Sequence, residues 1–521
     1  MPPITVKNIT TLGAQLTPDV TDISRDGGYS ALLNGNIVWL YDDTECMDVN
    51  GDQLSFVSNT AAYAEQGDLD FRAVHDFGVV NLGRDLDGLP KTAILADTTV
   101  GTGGWIPFQP DELDFNKQMA GKERVAICEH SLQAIDHQEL LVSRLHAGPG
   151  TAPTSISTTQ AFLFAPLVYV DMHPADPSKE YQGRGLTLIT LTAPPSGPVA
   201  TRQGDVTIFG TQVGFGGFTT LVGHKSTDTA SDKDAGSRDL YLLGVTPCGL
   251  QLARVGLDDL TKFSKFTFWS PLNQTFTSTP PSPKQTDPHQ VYIPGTFSSG
   301  TIFFSPYFKT YLLIYFNKQV DSTFYIRALN LSAPLAPTQP PWTANGKNGQ
   351  GIQAEDAEAL VRYAWSAEQI LYASPVGSRG FNYAGTPHPE FFNRQYFAPS
   401  LYPDSTPQSQ RLNPWYGGGL IPKAGTPDGK NLLLSWTSQE SGVEGTYAVQ
   451  LAVVEFGDLV GKTGGSSAVG EARPGKSAET VGKVLATAEK GGSGVGRVAF
   501  WGLPLLGIAI LVGGYGGGWW F

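Results

Sequence analysis

Apolar residues along this chain fall in short runs broken by Gly, Pro, Asn and Asp, with no sustained helical spacing. Runs at 29–33, 37–41, 161–170, 185–192, 205–210, 239–245, 301–304, 310–316, 323–329 and 431–437 are rich in β-branched and aromatic residues and read as strands. Their separators, Asn-Gly, Pro-Pro and Gly-rich stretches, supply the backbone angles of tight turns. Two short segments, 258–262 and 356–359, predict helices. The lack of long helices argues against a parallel α/β sheet. Hairpins recur at irregular intervals without an exact repeat. Four-stranded antiparallel blades arranged as a β-propeller over 18–456 fit that length better than one sandwich. The expected class is therefore all-β, with 1–17 as an N-terminal extension.

The pattern changes twice near the C-terminus. Residues 457–497 turn to Gly, Ser, Ala, Lys and Glu, which cannot bury a core and read as a flexible stalk. Residues 498–521 carry no charge at all and meet the ~20 residues needed to cross ~30 Å of hydrocarbon. Lys490 and Arg497 flank the start of this run, and Trp519-Trp520-Phe521 would form an aromatic belt at its end. The expectation is one C-terminal transmembrane helix, making the protein a single-pass membrane protein. The side of the membrane is left open. Arg497 and Lys490 favour a cytosolic domain, whereas a secreted domain needs a route out, and the N-terminus shows no apolar signal sequence.

Composition narrows the chemistry. A formal charge of −13 with no basic stripe argues against a nucleic-acid partner. Cys46, Cys128 and Cys248 are widely spaced and lack metal-ligand or disulfide spacing, so neither metal nor cofactor is expected. Segment 129–147 is helix-leaning inside a strand–turn–strand context, and its borders back-translate to splice-site consensus. It is read as a retained intron, so His130, His137 and His146 receive no catalytic role. No phosphate-binding loop, GxSxG elbow or HExxH motif occurs.

The most informative stretch is residues 24–45, two apolar runs around Asn34-Gly35-Asn36. Pairing Leu33 with Ile37 sets Tyr29 opposite Tyr41 and brings Asp26 beside Asp43 and Thr44. Strands lie ~4.8 Å apart, so carboxylates there are close enough to divide acid from base or nucleophile duties. Equally, the same spacing suits Asp26 as a turn cap and Asp43 as a strand end. The motif DGGYSALLNGNIVWLYDDTE resembles the opening blade of the DUF4185 family, with Asp42 where that family has Gly. Weaker matches are Ser58-Asn59-Thr60, Trp105-Ile106-Pro107-Phe108, Tyr383-Ala384-Gly385 with His388-Pro389, and 432–436. This resemblance implies a five-bladed propeller glycosidase, some members being endo-D-arabinanases, with Asp26 and Asp43 as the catalytic pair.

Five further residues are candidates for substrate binding. Trp415 and Tyr416 precede three glycines and offer rings for sugar stacking. His388, read as lying on a rigid Pro-flanked loop, offers a hydrogen bond to a hydroxyl. Glu112 supplies a further carboxylate, and Asn59 a hydroxyl partner near Asp43. The expected function is a membrane-anchored glycoside hydrolase-like protein acting on a furanoside-type or cell-wall polysaccharide. The alternative is a non-catalytic propeller that binds a glycan or a protein at a membrane surface.

Overall fold

The computed structural model describes residues 3–17, 23–33, 36–47, 53–57, 59–64, 72–76, 105–119, 122–127, 154–155, 160–171, 173–175, 181–192, 199–207, 215, 218, 221–224, 238–317, 321–335, 357, 359–376, 382–392, 429–439 and 447–458. These form five antiparallel sheets, the blades of a β-propeller. Blade 1 runs outward from β2 (Ile23–Leu33) through β3 (Asn36–Met47) and β5 (Thr60–Ala64) to β6 (His75–Asp76), with β4 (Gln53–Val57) extending β3. Blade 2 orders β7 (Glu123–Ile127), β9 (Gln160–Asp171), β10 (Tyr181–Thr192) and β11 (Val199–Thr207), with β8 (Thr154–Ser155) on β9. Blade 3 comprises β12 (Leu221–His224), β13 (Arg238–Thr246), β14 (Gly249–Gly256), β15 (Thr267–Ser270) and β16 (Thr275–Thr277), with β17 (Ile293–Pro294) on β14. Blade 4 comprises β18 (Ser299–Ser305), β19 (Thr310–Asn317), β20 (Thr323–Pro334) and β21 (Tyr363–Trp365), with β22 (Gln369–Ala373) on β20.

Blade 5 closes the ring. Its strands are β23 (Asn382–His388), β24 (Asn431–Gln439) and β25 (Tyr447–Phe456), and its outer strand is the N-terminal β1 (Val6–Ala14). The expected boundary at residue 18 is therefore corrected, because β1 belongs to the propeller.

The apolar runs have a single physical origin. Each sheet is buried on both faces, so its strands feed two cores and read as continuous rather than alternating hydrophobic stretches. In β3, Ile37, Trp39 and Tyr41 enter the core shared with blade 5, while Val38 and Leu40 enter the core shared with blade 2. In β19, Leu312, Ile314 and Phe316 face blade 5, and Tyr311, Leu313 and Tyr315 face blade 3. A further core joins Phe164, Leu186 and Leu188 of blade 2 to Leu240, Leu242 and Val255 of blade 3. Five interfaces thus link five blades in a closed circle.

Helices are short, as expected. A helix that was not expected, α1 (Pro110–Gln118), precedes β7. The first expected helix, 258–262, overlaps the 3-10 turn Leu257–Asp259 by two residues, and α2 (Ala359–Arg362) overlaps the second expected helix by one residue. The expected insert 129–147, all but two residues of the expected stalk and the apolar run 498–521 lie outside the described residues. Among the described residues, no helix is long and apolar enough to cross a membrane.

Candidate functional site

Asp26 sits where the innermost strand of blade 1 meets that of blade 5. The hairpin register differs by one residue from the simple expectation: Leu33 pairs with Asn36 and Tyr29 with Leu40. Two bulges then interrupt the ladder. Between Arg25↔Thr44 and Gly27↔Tyr41, β3 has an extra residue, so Asp42 and Asp43 together oppose Asp26. Between Gly27↔Tyr41 and Tyr29↔Leu40 the extra residue is Gly28 on β2, which restores the register. Gly27 and Gly28 adopt φ of +78° and +101°, a region costly for residues with a Cβ. A Cβ on Gly27 would also lie 3.0 Å from Asp42 Oδ2, so the Asp42 carboxylate covers this backbone closely.

Blade 5 grips the same spot. The Tyr383 hydroxyl donates to Asp26 Oδ2 at 3.1 Å, and the Gly27 N–H donates to Thr437 Oγ1 at 3.0 Å. Tyr383 and Thr437 are themselves paired across β23 and β24. Asp26 and Asp42 are buried, at 3% and 5% exposure, whereas Tyr383 is half-buried. The Arg25 guanidinium lies 4.5 Å from the Tyr41 ring centroid and donates to Thr17 Oγ1 at 3.1 Å.

A third bulge belongs to β23. Tyr383 pairs with Thr437 but Thr386 with Ser435, leaving one extra residue at Ala384–Gly385. Ala384 is held at φ +51°, a left-handed conformation that costs a non-glycine residue about 1 kcal/mol or more. Blade 4 pins this bulge. A Cβ on Gly385 would come within 2.3 Å of the Phe316 ring, and the Gly385 carbonyl accepts the Ser299 hydroxyl at 2.8 Å.

His388 lies on strand rather than on the expected loop, and it is 1% exposed. Its Nδ1 is 2.5 Å from Ser30 Oγ and its Nε2 2.7 Å from Ser435 Oγ. The Ser435 hydroxyl also donates to the Gly28 carbonyl at 3.3 Å. Ser30 additionally donates to the buried Glu390 carboxylate, and the Trp39 ring packs on the imidazole at 4.4 Å between centroids. Ser, His and Glu here do not have the order of a nucleophilic triad, because Glu390 engages the serine and not the outer ring nitrogen. The cluster is a polar clasp between blades 1 and 5.

The other candidates are scattered. Asp43 is in β3 opposite Asp26, with its side chain outside the described residues. Asn59 is buried, and its Oδ1 accepts the Ile106 N–H at 2.6 Å, anchoring the segment before α1. Glu112 is in α1, where its Oε2 accepts the Gln109 N–H at 2.9 Å and its carboxylate takes a two-pronged contact from the buried Arg202. The Glu112 carboxylate is thus held by Gln109 and Arg202, and the His388 ring by Ser30 and Ser435. Trp415 and Tyr416 lie outside the described residues. Among the described residues, no group of three or more His, Cys, Asp or Glu converges as a metal site.

Two participants stand outside the expected catalytic pair and the five binding candidates. Tyr383 stands in one of the weaker family matches, but only the β23 bulge shows what it reaches. Asp42 reads as a departure from the family pattern, and only the β3 bulge sets it opposite Asp26.

The fold and this junction define an all-β propeller with a buried carboxylate held between its first and last blades. No family model matches the chain, and no curated protein matches it. Solved structures similar to it include a candidate hydrolase from Bacteroides ovatus, 14% identical over 85% of this chain and 87% of its own, with a TM-score of 0.41. Others are a complex with RGII, at 9% identity, 90% and 96% coverage and a TM-score of 0.34, and a glycoside hydrolase, at 10%, 90% and 96%, and 0.33. Likeness this loose leaves the fold to the strand pairing above and the function to the side chains.

Proposed function

We propose that this chain is a propeller glycoside hydrolase of the DUF4185 type, anchored to a membrane by 498–521 and acting on a furanoside-type or cell-wall polysaccharide. Asp26 and Asp43 divide the acid and base-or-nucleophile duties, and neither metal nor cofactor takes part. The observation that carries this reading is the bulged junction, which sets Asp26 opposite two successive carboxylate residues on the neighbouring strand. Bulges re-aim side chains beside active sites, and close carboxylates push their pKa values apart as glycoside cleavage requires. A non-catalytic glycan-binding propeller is the second reading. The Asp42 carboxylate against Gly27 favours it, because a third negative charge opposes ionisation of the pair.

The test is a panel of arabinans and other cell-wall polysaccharides incubated with the full chain and assayed for new reducing ends. Asp26→Asn and Asp43→Asn are each expected to abolish cleavage while leaving the thermal midpoint within a few degrees of wild type. Full activity in both variants rejects the hydrolase reading. Retention of a glycan without any product supports the binding module.

A further inference from the structure

The two facing bulges do more than fold the junction. We infer that Tyr383 is a positioning residue that holds the Asp26 carboxylate in its ionised form and fixes its orientation. This rests on the reading of Asp26 as a working carboxylate.

The geometry supplies each step. A strand residue at position 383 would ordinarily follow the period-two alternation of β23, and the extra residue at Ala384–Gly385 breaks that alternation. The backbone there is maintained at a cost: Ala384 has φ +51°, and Gly385 is wedged against Phe316 with its carbonyl tied to Ser299. Such conformations persist only where neighbours over-determine them, and they cluster at functional sites. The result is a phenol O–H directed at Asp26 Oδ2 at 3.1 Å, across the boundary between the last and first blades. A donor to a carboxylate stabilises its charged form, and burial in a site of low dielectric strengthens that effect.

Other ionisable and polar residues stand at neighbouring positions. On β3 the Asp42 carboxylate lies against Gly27, and Asp43 follows it in the strand opposite Asp26; negative charge near Asp26 opposes its ionisation. On β2 the neighbouring Arg25 carries positive charge, turned over Tyr41. On β24, Thr437 contributes only a neutral hydroxyl, already accepting from Gly27. All of these residues remain when the phenol is removed, so Tyr383→Phe takes away the donor at Asp26 Oδ2 while keeping the charges around it. Tyr383 is half-buried and phenylalanine keeps its ring, so the variant retains the packing of β23.

The experiment is a carboxyl titration of the full chain labelled with 13C at aspartate Cγ, with Asp26→Asn used to assign the Asp26 resonance. Loss of the phenol is expected to raise the Asp26 midpoint by roughly one pH unit, since a unit corresponds to one hydrogen bond to a charged group. An unchanged midpoint in Tyr383→Phe overturns the inference whatever the polysaccharide panel shows. On a polysaccharide that the panel finds cleaved, Tyr383→Phe should lower kcat more than it changes KM. It should also move one limb of the pH–rate profile to higher pH. If Asp26→Asn retains cleavage, the hydrolase reading fails and the titration alone decides the role of Tyr383.

Discussion

His388 shows how far one residue's role depends on what surrounds it. In the sequence it stands between Pro387 and Pro389, which suggests a rigid, solvated loop. In the fold it is sealed between Ser30, Ser435 and Trp39. A buried polar side chain is stabilising only while its partners are present; removing it leaves Ser30 and Ser435 short of a partner and Glu390 beside an uncompensated space. His388→Ala is therefore expected to cost about 2–4 kcal/mol, from lost hydrogen bonds and the cavity beside Trp39. Urea denaturation checks this, and an unchanged midpoint would show that the clasp contributes nothing. Asp26 is the opposite case. Asp-Gly-Gly followed by an apolar run flags the position locally, and its place opposite Asp42 and Asp43 is a property of the hairpin. Tyr383 arrives from more than 350 residues away in sequence, and no local spacing encodes that meeting.

At the scale of elements, the helix α1 carries the clearest expectation. Glu112 closes a capping box with Gln109 and meets Arg202 from β11, with both side chains almost wholly buried. Breaking a buried ion pair by removing one partner costs about 3–5 kcal/mol, because the remaining charge is stranded. Glu112→Ala should therefore lower the denaturation midpoint far more than Asp111→Ala, whose side chain is exposed. Equal midpoints in the two variants would reject that account. The start of α1 is legible in principle: Pro110 at the first turn, with Glu112 three residues after Gln109, is a helix-start pattern. The helix itself leaves little trace because it is short and weakly amphipathic. The strands with long apolar runs are legible because burial on both faces leaves an unbroken signature, as in β9, β10 and β19. β23 is not, because Pro387 argues against a strand. An innermost strand is an edge, however, with one side facing no partner strand, and an edge tolerates proline. The one-residue register difference in the first hairpin has a similar cause, since compensating bulges at β3 and Gly28 cannot be counted from a turn motif.

The whole molecule depends on the segment with the weakest signal of all. β1 is an outer strand, half-exposed along its length, so it lacks the apolar run that marks the inner strands. Yet it completes blade 5 through seven register pairs with β25, from Val6↔Phe456 to Ala14↔Gln450. Ile4, Val6 and Ile9 pack on the core between blades 4 and 5, and Leu12 on the core between blades 5 and 1. Lys7 pairs with Glu455 at 2.8 Å. Just beyond the strand, Leu16 donates to the Arg72 carbonyl at 2.7 Å and accepts from Val74 at 2.9 Å, tying the N-terminal segment to blade 1. The segment therefore joins the last blade to the first. Ladder bonds at ~1 kcal/mol each, with the apolar burial added, approach the ~5–15 kcal/mol by which a folded domain is stable. Removal of residues 1–17 would also bare the edge of β25, a template for pairing with another chain. The expected outcome is a chain that unfolds at markedly lower urea and elutes as oligomers during size-exclusion chromatography under the same conditions as the full chain. Adding a peptide of residues 3–17 should restore part of the lost midpoint by refilling the vacant strand position, a readout that simple loss of solubility would not produce. If the shortened chain keeps both its midpoint and its elution volume, closure by β1 is not what holds the ring, and the five inter-blade cores suffice alone.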